Sequence, residues 1–200
     1  MDTDIDLTPV VLEGRHVRLE PLDLERHWDG LVAIGLEPSL WKFTVAKIDG
    51  PEALRRYFET ALADQARGVT LPFVTIDRAS GRVAGSTRFG NIVPEYRRAE
   101  IGWTWLGPEF QRSSLNTEAK LLMLTHAFET WKLFRVELKT SLGNEKSKNA
   151  MRRLRFVEEG TFRKWMLHGD GSRRDTVWFS VIDDEWPETK AHIEALLARY

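Results

Sequence analysis

The chain contains no cysteine among its 200 residues. This absence excludes disulfide bonds, thiolate zinc sites and a cysteine nucleophile. No apolar run approaches the roughly 20 residues of a membrane-spanning helix, and the acidic start MDTDIDLTP does not resemble a signal peptide. A net charge of −1 also lacks the basic surplus that nucleic-acid binding usually shows. We therefore expect a cytoplasmic protein that engages neither a membrane nor nucleic acid directly.

Several catalytic motifs are absent as well. The sequence has no G-x-G-x-x-G, no G-x-x-x-x-G-K, no H-E-x-x-H and no G-x-S-x-G. The five histidines are scattered without the spacing of metal ligands: His16, His27, His126, His168 and His192. The sequence therefore gives no support for a metal site, a metalloenzyme or a serine hydrolase.

The composition, 42% hydrophobic and 30% charged, is typical of a globular protein, and 200 residues suffice for one full core. We expect an acidic tail over residues 1–9 and a single domain over residues 10–200. Apolar periodicity predicts these elements in order: a hairpin or edge strand at 10–22, helices at 23–35 and 51–67, strands at 72–77, 82–92 and 98–107, a helix at 117–131, a strand at 134–140, a helix at 144–154, strands at 159–168 and 173–183, and a helix at 185–200. This order predicts an α/β fold in which helices cover a mixed sheet.

The connection between the first two predicted helices, EPSLWKFTVAKIDG, is long and contains two aromatic residues. Trp41 and Phe43 both look exposed, and loops of this kind often line a binding site. We assign Trp41 and Phe43 to substrate binding. The alternative is that the two rings simply plug the core.

The segment PEFQRSSLNTEAK, residues 108–120, separates an aromatic strand from an apolar helix. From Arg112 to Asn116 it has no cysteine, histidine or carboxylate, so side-chain catalysis does not explain it. A helix N-terminus presents unpartnered backbone N–H groups and a partial positive charge, which suit a phosphate. We expect Asn116 or Thr117 to cap the helix and the loop amides to cradle a phosphate. An ordinary polar connection is the alternative, because glycine, the usual signal, is missing between residues 107 and 143.

Three stretches, FQRSSLNTEAKLLMLTHAFE, RVELKTSLGNEKSKNAMRRLRFVEEGTFRK and DTVWFSVIDDEWP, resemble the GNAT superfamily of acetyl-CoA-dependent N-acetyltransferases. The similarity is closest to the RimJ/RimL-like ribosomal-protein-alanine acetyltransferases and runs from about residue 12 to residue 186. It implies one GNAT-like domain, a mixed and mostly antiparallel twisted sheet flanked by helices. It also implies acetyl-CoA as the cosubstrate, with no metal.

In that family, a Gln/Arg-x-x-Gly-x-Gly/Ala loop holds the pyrophosphate of coenzyme A with backbone amides. Here the pattern falls on Gln111, Ser114 and Asn116, so both glycines are replaced. The cofactor-binding residues that the resemblance implies lie on a splayed strand, in this loop and at the next helix start: Trp105, Leu106, Gln111, Arg112, Ser113, Ser114, Leu115, Asn116, Thr117 and Asn144. The family's Leu-Gly-Phe ending has Arg155 in place of glycine, which departs from the expected turn.

The implied reaction is direct attack of an amine on the thioester, with no covalent enzyme intermediate. Glu100 is the predicted general base, directly or through water, and a period of two places Thr104 on the same strand face. A solvent-facing strand carboxylate is the alternative. The family's tyrosine proton donor falls on Met151, so we assign protonation of the leaving thiolate to Ser147. That hydroxyl could instead have only a capping role.

The segment 135–175 has eleven Lys or Arg against six Asp or Glu. Solvated faces explain such a bias, and so do coenzyme A phosphates, which could meet Lys146, Lys148, Arg152 or Arg153. The expected acceptor is the N-terminal α-amine of a protein or peptide. The alternatives are a small-molecule amine or antibiotic as acceptor, and a non-catalytic acyl-CoA-binding module. The sequence leaves both a monomer and a homodimer open.

Overall fold

The computed structural model describes residues 5–200. The strands within that range are β1 (Leu12–Glu13), β2 (Val17–Pro21), β3 (Leu71–Asp77), β4 (Val83–Val93), β5 (Arg98–Leu106), β6 (Arg135–Ser141), β7 (Val157–Leu167) and β8 (Arg173–Ile182). The helices there are α1 (Leu24–Gly35), α2 (Pro51–Ala66), α3 (Leu115–Thr125), α4 (Glu145–Arg153) and α5 (Trp186–Leu197). The predicted α/β class and the predicted order of elements are confirmed.

The eight strands described form one sheet in the order β1-β2-β3-β4-β5-β6-β8-β7. Every neighbouring pair is antiparallel except β5 and β6, which are parallel. Parallel neighbours need a crossover connection, and α3 lies in it. The sheet is therefore mixed and mostly antiparallel, as predicted, with its one parallel pair near the middle.

Different helices cover the two faces of the sheet. On one face, α1 contacts β4 and α2 contacts β3, and Phe58 of α2 lies 6.3 Å from Trp105 between ring centroids. On the other face, α3 contacts β2 and α5, and Met123 of α3 meets the hydroxyl of Thr87. Trp105 pairs with Ser86, the neighbour of Thr87, and adjacent residues of a strand point to opposite faces. We call these the α1/α2 face and the α3 face.

Local signals explain where the first two helices begin. Asp23 precedes α1, and its carboxylate accepts the backbone N–H groups of Glu25 and Arg26 at 2.9 and 3.2 Å. Pro51 opens α2, where the missing N–H costs nothing. These signals were visible in the sequence, and both starts were predicted to within one residue.

The β1–β2 turn is fastened to α3 by one carboxylate. Buried Glu118 accepts the backbone N–H groups of Arg15, His16 and Val17 at 2.8, 2.6 and 2.7 Å. Three hydrogen bonds to a charged group fix the start of α3 against the edge of the sheet. The position of the loop before α3 follows from this attachment.

The predicted acidic tail begins on residues 1–4, which lie outside the described residues. Over the rest of it, Ile5 and Leu7 pack against the core, and Trp131 Nε1 donates to the Asp6 carbonyl at 2.8 Å. No helix within residues 5–200 is both long enough and apolar enough to cross a membrane.

Candidate active site

β5 and β6 diverge after a short stretch of pairing. Arg98–Glu100 pairs with Arg135–Glu137, and the pairing ends there, although β5 continues to Leu106 and β6 to Ser141. Beyond that point, the side of β5 that faces β6 has no strand partner in the described chain. The predicted splay is therefore present. The residues predicted to pair with an acyl chain, Trp105 and Leu106, lie on this unpaired part of β5.

The loop before α3 presents a row of free backbone amides. A 3₁₀ turn at Pro108–Phe110 leads to Gln111 and then to Arg112, whose φ of 58° is left-handed. The N–H groups in this loop with no hydrogen-bond acceptor among residues 5–200 belong to Arg112, Ser113, Ser114, Asn116 and Thr117. The Leu115 amide differs, because it donates to Ser113 Oγ at 3.3 Å. Five free donors within six residues at a helix N-terminus can hold an anion without any glycine.

α3 begins two residues earlier than predicted. Its N-cap is Ser114, whose carbonyl accepts the Glu118 N–H at 2.9 Å, whereas Asn116 and Thr117 lie inside the first turn. The N-cap residue makes no side-chain hydrogen bond to the helix start. The N-cap prediction was wrong because it looked for a capping side chain at Asn116 or Thr117, whereas the helix begins earlier and leaves the amides of these two residues free.

Cations from α4 reach this loop. Lys146 Nζ donates to Gln111 Oε1 at 2.7 Å, and Arg153 Nη2 donates to Thr117 Oγ1 at 2.6 Å. The other two candidates, Lys148 and Arg152, form ion pairs with carboxylates at 2.6 and 2.7 Å. Of the four candidate phosphate-binding cations, two therefore lie beside the loop and two already pair with carboxylates.

Asn144 is the N-cap of α4, at the helix start that the sequence predicts. Its Oδ1 accepts the Ser147 N–H at 3.2 Å, and its Nδ2 donates to Thr140 Oγ1 of β6 at 3.1 Å. The Ser147 side chain is partly buried, and its hydroxyl has no hydrogen-bond partner among the described residues. The roles of Asn144 toward pantetheine and of Ser147 toward the thiolate stay predictions.

Arg155 keeps the turn that the family makes with glycine. Its φ is 64°, and the next amide, that of Phe156, donates back to the Met151 carbonyl at 3.1 Å. This is the usual left-handed ending of a helix. A non-glycine residue there costs of order 1–3 kcal/mol, which the closed turn offsets.

Glu100 lies where β5 and β6 part. Its side chain is 4% exposed, accepts from Asn91 Nδ2 at 2.6 Å and forms an ion pair with Lys139 of β6. Asn91 has a left-handed φ of 46° at an irregularity in the β4–β5 pairing. The alternative of a solvent-facing carboxylate is excluded, because two donors hold Glu100 inside the protein.

A bulge separates Glu100 from Thr104. Between two paired positions, β4 advances by two residues, from Ser86 to Arg88, while β5 advances by three, from Gly102 to Trp105, and Trp103 has a φ of 51°. Thr104 therefore points to the α3 face, where its Oγ1 lies 2.7 Å from Thr87 Oγ1. The prediction that Glu100 and Thr104 share a face was wrong, because one extra residue inverts the alternation.

Trp41 is buried rather than exposed. Its ring lies 5.2 Å from the ring of Tyr57 and 5.6 Å from that of Trp105, and Nε1 donates to the Gly35 carbonyl at 2.8 Å. The predicted exposure was wrong because the loop folds back and the ring completes the core.

The rest of that loop covers the β7–β8 turn. Thr44 O accepts the Gly169 N–H at 3.1 Å, and the half-buried ring of Phe43 lies close to Gly143, directly before Asn144. Substrate binding by Trp41 and Phe43 stays a prediction, and Phe43 is the one placed beside the start of α4.

Lys120 is a cation that the sequence interpretation missed. Its Nζ donates to Thr104 Oγ1 at 3.0 Å, and only 5% of the residue is exposed. Burial lowers the pKa of this ammonium to about 7. The signal was present in the sequence, since Lys120 interrupts the apolar stretch of α3.

Three cations on the α1/α2 face were missed as well. Arg88 lies over the rings of Tyr57 and Trp103, with its guanidinium carbon 4.9 and 4.8 Å from the centroids. Lys139 pairs with the predicted base, and Arg174 of β8 is only 6% exposed. Each lies on the more polar side of its strand in the sequence, so the alternating pattern gave no sign that it would be buried.

Comparison with known proteins identifies the family. Residues 16–157 match the acetyltransferase (GNAT) domain family. The Bacillus subtilis protein named "Putative ribosomal N-acetyltransferase YdaF" is 30% identical over 178 residues, covering 86% of this chain and 92% of that protein. A GCN5-related N-acetyltransferase from Brucella melitensis has 34% identity and a TM-score of 0.86, covering 94% of this chain and 86% of that one.

A third comparison concerns the fold alone. Mycobacterium smegmatis RimJ in complex with CoA-disulfide has 22% identity and a TM-score of 0.82, covering 96% of this chain and 97% of that one. The family match covers more than half of the chain, and the Bacillus relative spans most of it. The chain therefore belongs to the GNAT family of N-acetyltransferases, whose cosubstrate is acetyl-CoA.

Proposed function

We propose that this acyltransferase moves the acetyl group of acetyl-CoA directly to the N-terminal α-amine of a protein. One observation carries the proposal: buried Glu100 stands at the closed end of the gap between β5 and β6. β5 then runs along that gap toward the loop with the free amides before α3. The proposed cofactor loop and the candidate base thus share one opening.

The residues present fit coenzyme A. Pyrophosphate needs several N–H donors and positive charge, which the loop amides, Lys146 and Arg153 supply. The pantetheine arm needs unpaired backbone donors and acceptors, which β5 offers beyond Glu100, except at the Leu106 carbonyl, which accepts from Gln111 Nε2 at 2.8 Å. Bound acetyl-CoA would supply an activated thioester carbonyl, and the chain positions it.

The chain's own groups then manage the protons. The amine nitrogen forms a bond to the thioester carbon as the carbon–sulfur bond breaks. Glu100 takes the proton that the amine loses, directly or through a water, and Ser147 passes its hydroxyl proton to the sulfur while it takes a replacement proton from solvent water. Lys139 and Asn91 orient the Glu100 carboxylate by donating to it. No side chain becomes acylated in this scheme.

The α-amine is the acceptor that best suits such a site. An α-amine with a pKa near 8 is roughly a tenth neutral at pH 7, whereas a lysine amine near 10.4 is below about 0.1% neutral. A base that acts through water can serve the first far more easily than the second. The name of the Bacillus subtilis relative, a ribosomal N-acetyltransferase, supports a protein acceptor and, with it, a cytoplasmic site of action.

Acetyl-CoA binding followed by thiol release tests the proposal. We expect acetyl-CoA at concentrations far above micromolar to raise the melting temperature, because it binds only the folded state. Thiol release should then be measured with N-terminal peptides, small amines and aminoglycosides. Turnover on peptides alone supports the proposal, and turnover only on small amines contradicts the protein acceptor. Binding without turnover on any amine would identify a non-catalytic acyl-CoA-binding module.

Two substitutions of Ser114 distinguish coenzyme A binding by its backbone N–H from binding by its side-chain hydroxyl. Ser114→Ala keeps the free N–H, so coenzyme A affinity should change less than threefold. Ser114→Pro removes that donor, although a φ of −68° already suits proline. The loss of a hydrogen bond to a charged group is worth roughly 1.5–3 kcal/mol, about tenfold or more in affinity.

Calorimetric titration of coenzyme A into both folded variants makes the comparison, with circular dichroism as the control for loop distortion. Equal losses from alanine and proline would mean that the hydroxyl binds the ligand and that the amides do not.

A further inference from the structure

The α1/α2 face of the sheet carries more buried positive charge than it pairs. Arg88, Lys139 and Arg174 lie on the same face as Glu100, while the neighbouring buried carboxylate, Glu137, already pairs with Arg98 and Arg135. Lys139 forms the ion pair with Glu100, while Arg88 and Arg174 have no carboxylate within ion-pair distance in residues 5–200. Arg88 is compensated by the ring of Trp103, over which it lies. Arg174 has no such ring contact in the described chain.

β8 also lines this face with hydrogen-bonding groups that have no partner. Arg174 Nε, Thr176 Oγ1 and Trp178 Nε1 are all buried and make no hydrogen bond in the described chain. Residues two apart on a strand share a face, so the three groups form a row. Leaving a buried polar group without a hydrogen-bond partner destabilises the folded state. Three in a row indicate a place where a ligand supplies the acceptors.

This row lies beside the reacting groups. Trp178 pairs with Lys139 in the β6–β8 register, and Lys139 Nζ lies 5.0 Å from the Trp178 ring. Burial lowers the pKa of Arg174, and the negative charge of Glu100 partly opposes that effect. The Trp178 end of the row therefore lies beside the ammonium that pairs with the candidate base.

The hydrogen-bond donors of this row indicate which class of ligand it can bind. A guanidinium matches the two oxygens of a carboxylate in a planar, bidentate arrangement, and the indole N–H is a further donor. A second ammonium on the acceptor would instead meet Arg88, Lys139 and Arg174, which repel it. The face is thus complementary to an acceptor that carries negative charge near its amine.

We propose that the preferred acceptor is an amine carrying a carboxylate, which Arg174 binds while Glu100 receives the amine proton. The inference rests on the proposed acetyl transfer at this site. Two sources supply the same chemistry: the side chain of Asp or Glu next to a protein N-terminus, and the α-carboxylate of a free amino acid. The first agrees with a protein acceptor.

The test compares acceptors that differ only in charge. Peptides beginning Ser-Glu, Ser-Gln and Ser-Lys, and a free amino acid with its amide, are offered to the wild-type enzyme with acetyl-CoA. We expect kcat/KM for the Ser-Glu peptide to exceed that for Ser-Gln at least tenfold, with Ser-Lys lowest. Preference for the free amino acid over every peptide would assign the α-carboxylate as the source.

Variants of Arg174 connect the preference to this residue. Arg174→Gln should bring the ratio of Ser-Glu to Ser-Gln close to one, and Arg174→Lys should restore part of it. Arg173→Gln is the matched control, because Arg173 is exposed and its side chain leaves the other side of β8. That control should keep the wild-type ratio.

A binding measurement tests carboxylate recognition independently of turnover. In the presence of coenzyme A, the Ser-Glu peptide should raise the melting temperature of the wild-type protein, and the Ser-Gln peptide should raise it less. Equal rates and equal shifts for the two peptides overturn the carboxylate proposal, while acetyl transfer stands. A Ser-Glu shift without turnover on any amine supports the anion site and removes the proposed catalysis. Variants enter the comparison only if coenzyme A still stabilises them.

Discussion

Replacing Glu100 with glutamine is expected to lower kcat by about 10²–10⁴, the usual effect of a lost acid–base group. The amide cannot accept the proton of the incoming amine, while the loop that would hold pyrophosphate is untouched. Acetyl-CoA affinity should therefore stay within a few-fold of wild type. The deficit should shrink as the pH rises toward 9, because the α-amine then loses its proton without help. Steady-state thiol release over pH 6.5–9 measures both effects.

Glu137→Gln is the matched control for this experiment. Glu137 pairs with Glu100 across β5 and β6, is nearly as buried, and forms ion pairs with Arg98 and Arg135 at 3.3 and 2.8 Å. Its loss removes comparable ion pairs from the closed part of the sheet. Equal losses of activity in both variants would assign the effect to structure. A wild-type rate for Glu100→Gln at neutral pH would remove Glu100 from the mechanism.

Replacing Lys120 with methionine is expected to stabilise the protein, and more so at low pH. The folded protein holds this amine with a pKa of about 7, against 10.5 in the unfolded chain. Below pH 7 the folded state must carry a buried ammonium, a penalty of up to ~5 kcal/mol. Between pH 7 and 10.5 the unfolded state binds the extra proton, so the free energy of unfolding rises with pH and the penalty fades.

The gain from Lys120→Met should therefore be about 2–3 kcal/mol larger at pH 6 than at pH 9. The lost hydrogen bond to Thr104 subtracts about 1 kcal/mol at either pH. Urea denaturation at the two pH values measures the difference. Lys47→Met is the control, because the Lys47 side chain is 72% exposed and stays in water in both states. A gain that does not vary with pH would show that Lys120 is not desolvated as described.

The sequence placed the elements well because periodicity is a local property. The alternation around Val136 and Leu138 identified β6, and the splayed opening beside it followed from the family resemblance. The turn at Arg155 survived the loss of glycine because a left-handed arginine costs only a few kcal/mol. These features depend on a few neighbouring residues, which a sequence displays directly.

The wrong or missing predictions concern features that depend on contacts formed only in the folded chain. No local sequence pattern predicts a tryptophan with a left-handed φ. The bulge at Trp103 and the resulting orientation of Thr104 could therefore not be predicted. Trp41 is buried by Tyr57 and Trp105, which are distant in sequence. Arg174 was missed as a candidate site because only the folded chain shows that its buried Nε has no hydrogen-bond acceptor.

The bulge at Trp103 has an evolutionary consequence. One inserted residue sends Glu100 and Thr104 to opposite faces of the same strand, so mutations at the two positions meet different surroundings. If acceptors bind on the α1/α2 face as proposed, genetic drift there changes which molecules are accepted without disturbing the packing of α3 against the sheet. A duplicated gene could thus acquire a new acceptor through substitutions at Arg88 or Arg174, while inheriting the amides before α3 unchanged.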